Sequence, residues 1–257
     1  MAETFIFPFT FGDRTQSDLL GGKGANLAEM VKIGLPVPPG FTITTKACQE
    51  FLKSGHSPAT LPAELEAAMS ALEKELDKEF GNPLKPLILS VRSGAKFSMP
   101  GMMETVLNVG MTPAVAEQLA IETGNEQFAW DSYRRFIQMY GGVVLGMKPA
   151  SKDDIDPFEE IMENLKEKRG IELDTEFTIN DLKDLVFDFK EAVKKRTGHD
   201  FPTNPWDQLW GAIIAVFNSG NGNRAVYYRN MHGYPADWGT AVNVQAMVYG
   251  NMGDNSG

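Results

Sequence analysis

Cysteine is almost missing from this chain: Cys48 is the single one in 257 residues. One thiol allows no intrachain disulfide and no cysteine-based zinc site, which fits a reducing compartment. Histidine is scarce as well. His56, His199 and His232 lie far apart, each beside Gly, Ser or Asp, without the i, i+4 spacing of helix-borne metal ligands; they read as surface-loop residues. Positive charge is in deficit too, with 24 Lys and Arg against 34 Asp and Glu, a net charge of -10 and a pI near 4.9. That balance excludes a surface built to hold nucleic acid or anionic lipid, both of which reward clustered cations, and leaves room for a local basic pocket. No segment approaches the ~18 uninterrupted apolar residues of a membrane span. The opening MAETFIFPFTFGD lacks a basic start followed by an apolar run of signal length. We therefore expect a cytoplasmic protein with no nucleic-acid and no membrane partner. No GxSxG elbow occurs, and Cys48 falls in an expected helix with no histidine nearby in sequence. Nucleophilic catalysis has no candidate, and Cys48 reads as a small core residue.

What is present falls into two textures. The first hundred residues alternate short β-rich runs with helices. FIFPF suits a half-buried strand, and Pro8 marks it as an edge. Leu27, Met30 and Val31 at helical spacing, with Gly34 as a stop, predict a helix from Gly24 to Ile33 with Lys23 at its amino end. LPVPPG cannot continue a helix; FTITT then reads as a strand and Thr45 to Leu52 as a helix. Residues 63 to 80 have helical spacing, and LILSV at 87 to 91 predicts a buried strand that delivers Arg92.

From Thr112 onward helices dominate, the first with a Thr N-cap, Pro113 in the first turn and Gly124 as its stop. Residues 126 to 145 are expected to be helical, as are DIDPFEEIMENLKEKRG and TINDLKDLVFDFKEAVKKRTG. In the last of these, Leu182, Leu185, Val186, Phe189 and Val193 form one stripe, with Thr178 as cap and Asp181 three residues on. Its basic end complements the helix dipole, and Glu159 and Glu160 read as an exposed helix start rather than as metal ligands. Asn204 and Pro205 open a further helix with Leu209, Ile213 and Phe217 inward, and AVNVQAMVYG returns to strand-like texture. A strand from Ala241 needs neighbours, yet only a turn-rich ending, NMGDNSG, follows it. On that ground we expect a truncated piece of a longer protein.

Two segments combine glycine, a cation and a nearby element end: GGKGAN around Lys23 and VRSGAKFSMPGMMET around Arg92. Glycine lets backbone amides approach an anion, a helix start adds partial positive charge, and Lys and Arg neutralise phosphate oxygens. GGKGAN is not a Walker A loop, which needs four residues between its glycines and then Lys with Ser or Thr. Read singly, Lys23 is equally a solvated cation before a helix, and Arg92 a structural ion-pair partner.

The segments LLGGKGANLAEM, LPVPPGFTITTKAC, SVRSGAKFSMPGMMETVLNVG, AWDSYRRFIQMYG and DWGTAVNVQAMVYGN, in this order, closely resemble the amino-terminal part of the pyruvate, phosphate dikinase family. The resemblance implies an α+β fold: an ATP-grasp nucleotide-binding module, incomplete, with a helical insertion. Residues 1–111 and 204–243 would form its first subdomain, 112–203 the insertion, and 244–257 the start of the remaining subdomain. It also implies that Lys23 and Arg92 contact ATP phosphates, Arg92 catalytically, under a flap that includes Gly101. Met103 and Gln245 resemble nucleotide-site residues, with simple packing as the other reading, and Arg224 would contact the next domain.

The family reaction converts ATP, phosphate and pyruvate to AMP, pyrophosphate and phosphoenolpyruvate through a phosphohistidine on a central domain. None of the three histidines here has that setting. By the resemblance, magnesium ligands are expected beyond Gly257, and homodimerisation through a carboxyl-terminal barrel. The expectation is a phosphotransferase as the full-length protein, with this piece inactive alone. The alternatives are a phosphoenolpyruvate synthase-type enzyme and a non-catalytic nucleotide-binding module.

Overall fold

A computed structural model describes residues 3–97, 99, 103–149, 155–235 and 238–249. Five short strands make one antiparallel sheet: β1 Ile6–Pro8, β2 Gly40–Ile43, β3 Leu89–Gly94, β4 Thr105–Val109 and β5 Ala241–Ala246. Their order is β1-β2-β5-β3-β4. As expected, Pro8 lies on an edge strand, where its missing N–H interrupts no inner ladder. The neighbours that β5 needs come from earlier in the chain: Val244 is paired with Phe41 on one side and Val91 on the other. This corrects the unpaired-strand reason for expecting a truncated piece. β5 also runs through the division expected between residues 243 and 244, staying paired as far as Ala246.

Alternation along the strands gives the sheet two unlike faces. Phe41, Ile43, Leu89, Val91, Val106, Val242 and Val244 are all buried in the main core. Between them, register aligns a row of different chemistry, Thr42 beside Asn243, Asn243 beside Arg92, and Arg92 beside Thr105.

Helix α1, Ser17–Lys32, packs near β2, β3 and β5. The main core joins the apolar strand residues to α2 Thr45–Ser54, α3 Leu61–Leu76 and α8 Pro205–Ser219. It continues without a break into α4 Pro113–Thr123, α5 Glu126–Val143, α6 Pro157–Arg169 and α7 Ile179–Thr197. The expected stripe of α7 is buried throughout, and Thr178 and Asp181 form the reciprocal cap. Asn204 accepts from the Trp206 amide at 2.9 Å to start α8. No helix among the described residues is long and apolar enough to cross a membrane.

Two local expectations are corrected, the start of α1 and the setting of His232, and two elements that had no reading in the sequence, β4 and α9, are added. α1 begins at Ser17 rather than Gly24, because SDLL forms an earlier turn that joins the rest across a kink at Gly21. TVLNV is a strand, β4, hidden in sequence because Asn108 has a φ of 60° and the register shifts opposite it. Buried Val106 and Val109 are thereby three apart instead of two. Asn223–His232 is a helix, α9, with only Ala225 and Arg229 buried and hence no apolar stripe to read. His232 closes that helix rather than lying in a loop.

Candidate functional site

The polar row of the sheet is covered by α1, and glycine sets how closely. Gly21 has φ 66° and ψ 165°, a conformation open essentially to glycine alone. The break turns the helix so that the Gly22 amide donates to the Ala95 carbonyl at 2.9 Å. A Cβ on Gly24 would lie 2.8 Å from Thr42 Oγ1 and 2.9 Å from Asn243 Oδ1. The helix therefore rests directly on the row, where Thr42 donates to Asn243 Oδ1 at 2.9 Å and Asn243 Nδ2 donates to the Arg92 carbonyl at 3.5 Å.

Between α1 and the chain leaving β3 lies a cleft of about 640 Å³. Lys23, Arg92 and Lys96 line it, with Asn26, Ser93 and Thr105 as neutral polar groups. Leu27, Met30, Phe97 and Met103 supply apolar wall. No carboxylate is among its described lining residues.

Of the three cations, Lys96 is paired with Asp18, while Lys23 and Arg92 carry unneutralised charge among the described residues. Partial burial holds the Lys23 amine below the ordinary lysine value, and the nearby Arg92 charge lowers it further. Burial likewise weighs against the charge of Arg92. The Arg92 Nη2 donates to Gln245 Oε1, and Gln245 Nε2 donates to the Pro38 carbonyl at 2.9 Å, so the guanidinium is braced from β5 and the turn before β2. The Arg92 Nε is buried without a partner, and neither cation is paired with a carboxylate among the described residues. Leaving such a donor unmade costs roughly 1–3 kcal/mol.

The sequence-predicted residues divide clearly. Lys23, Arg92 and Met103 come together on the cleft; Gln245 reaches it through Arg92 rather than lining it. Arg224 is exposed on α9 and is not part of the cleft wall. Gly101 lies outside the described residues. Sequence reasoning missed Lys96, Asn26, Thr105 and the buried Asn243. The polar positions inside the alternating AVNVQA were the signal for Asn243, and the cation after the second glycine turn was the signal for Lys96.

The donor set does not fit a divalent cation. Three cations and neutral groups line the cleft, and no group of three or more His, Cys, Asp or Glu gathers anywhere among the described residues. It fits an anion bearing several charges.

A glycine-lined cationic cleft between a broken helix and a sheet defines an anion-binding domain suited to phosphate groups. The family model described as pyruvate phosphate dikinase, AMP/ATP-binding domain, matches residues 17–58 and 56–257, and the chain belongs to that family. It is 50% identical over 246 residues to the pyruvate, phosphate dikinase of Rhizobium meliloti (strain 1021), covering 95% of this chain and 27% of that protein. The enzyme of the same name from Clostridium symbiosum is 48% identical over 98% of this chain and 28% of its own length. Pyruvate, phosphate dikinase 1, chloroplastic, from Zea mays is 50% identical over 96% of this chain and 25% of its own length. The chain thus spans about a quarter of the length of the curated relatives it matches.

Proposed function

We propose that this chain is the ATP-binding part of a pyruvate, phosphate dikinase, which converts ATP, phosphate and pyruvate to AMP, pyrophosphate and phosphoenolpyruvate. The observation that carries this reading is the charge reversal in the cleft: three cations and no carboxylate among its described lining, in a chain of net charge -10. Lys23, a mobile point charge on α1, holds the phosphate chain. Arg92 presents a rigid planar fork, braced by Gln245, that follows charge as it spreads over the transferring phosphoryl group. Met103 gives soft apolar contact to the nucleotide, and Arg224 meets the neighbouring domain that carries the phosphohistidine.

The fold is of the ATP-grasp kind, with residues 1–111 and 204–243 as first subdomain and 112–203 as helical insertion. The remaining subdomain begins at 244. Magnesium accompanies the nucleotide, held by groups outside the described residues. The whole enzyme is cytoplasmic and dimerises through another part of its chain, while residues 1–257 alone bind ATP weakly and turn over no substrate. Pyruvate-dependent AMP formation by the full-length protein tests the reading. Activity that needs phosphate supports it; activity with water as acceptor would assign the chain to a synthase instead.

A further inference from the structure

We propose that Lys96 is a third phosphate-binding cation of this cleft, stored on Trp238 and Asp18 until a nucleotide phosphate takes its amine; this deepens the ATP-binding reading and rests on it. Lys96 lines the same cleft as Lys23 and Arg92. Its amine lies 4.9 Å from the Trp238 ring centroid and is paired with the Asp18 carboxylate. Asp18 is 78% exposed at its side chain, and an ion pair so open to water is weak and readily exchanged. A phosphate chain carries more charge than one carboxylate, and it would bind where no other acid competes.

The backbone that carries Lys96 is fixed on both sides. The Gly22 amide holds the Ala95 carbonyl at 2.9 Å. On the other side the Phe97 ring stacks on Tyr234 at 4.7 Å and on Trp238 at 5.4 Å, and Tyr234 stacks on Trp238 at 5.6 Å. Phe97 is 42% exposed, so ring stacking, more than burial, sets its position. A fixed backbone with a flexible four-carbon stem lets the amine exchange between indole and cleft without moving the chain. Phe97, Tyr234 and Trp238 are then positioning residues for Lys96.

The test titrates ATP and, separately, inorganic triphosphate into the protein by calorimetry while tryptophan emission is followed. Lys96→Met is expected to weaken both ligands about tenfold, equivalent to about 1.4 kcal/mol, whereas Lys96→Arg stays within about threefold of the parent. ATP should change the emission as the amine leaves the indole. Trp238→Phe should abolish that change, since the other tryptophans of residues 1–257, Trp130, Trp206 and Trp210, lie on α5 and α8. Wild-type affinity in Lys96→Met, or an emission change that persists in it, overturns the role of Lys96 alone. Failure of the parent protein to bind either ligand overturns the ATP reading and this role together.

Discussion

Lys23 and Arg92 face one cleft from two layers, the first from helix α1 and the second from strand β3, and the arginine charge helps depress the lysine pKa. Like charges held together in a half-buried place oppose folding unless something else is gained. What is gained here is a preorganised site for an anion.

Arg92→Ala in the full-length enzyme is expected to lower turnover about 10²–10³-fold, the loss typical of one preorganised donor at developing charge. Arg92→Lys should rescue little of it, because a point charge cannot both reach Gln245 and present a planar fork. Steady-state kinetics decide this; a near-normal rate for either variant removes Arg92 from the reaction.

Lys23→Met should weaken ATP binding yet raise the melting temperature, by no more than about 1 kcal/mol of stability, because it removes a buried like-charge neighbour of Arg92. The pH dependence has a defined sign. A lysine held below its ordinary value of 10.5 loses its proton earlier as pH rises, so ATP affinity should fall before an ordinary lysine titrates. Bound phosphate stabilises the charged amine, so binding at alkaline pH should take up protons, measurable by calorimetry in buffers of different ionisation heat.

Gly21→Ala combines a backbone conformation foreign to other residues with a Cβ only 1.7 Å from the Gly94 carbonyl oxygen. The expected loss is about 2–4 kcal/mol from strain and overpacking together. Gly34→Ala is the control: its φ is also positive, but nothing lies within 4 Å of its added Cβ. Chemical denaturation should show the first variant clearly less stable than the second; equal losses would mean that the close approach of α1 to β3 is unimportant.

Asp181→Ala should cost about 1–2 kcal/mol, the value of a helix cap. Its carboxylate accepts from the Thr178 amide at 3.0 Å, the Thr178 hydroxyl at 2.6 Å and Arg169 Nε at 2.7 Å. The Thr178 hydroxyl is the leading cause of its lowered pKa. A carboxylate with a lowered folded-state value stabilises above the ordinary 3.8 and loses that contribution as pH falls through the folded value. The variant's melting temperature should therefore converge on the parent's in acid; a gap independent of pH would contradict this.

Much of this was legible because local chemistry and tertiary structure agree. Pro8 at an edge, the Thr112, Thr178 and Asn204 caps and the α7 stripe follow from backbone donors and helical period, which neighbouring residues reveal. Lys23 and Arg92 stood out as cations set among glycines, Met103 only through wording shared with a family, and their convergence on one cleft is a fact of folding. β4 and α9 escaped because a bulge broke one alternation and exposure erased the other stripe. Asn243 was hidden for another reason. Its partners Thr42 and Arg92 are distant in sequence, and only the placement of β5 between β2 and β3 brings them together.

Calorimetric titration of ATP into the full-length protein and into its Lys23→Met, Arg92→Ala double variant tests the central claim most directly. Saturable binding by the parent, lost in a double variant that still folds, is the predicted result. Equal binding by both proteins would contradict it, because the nucleotide would then be held somewhere other than between these two cations.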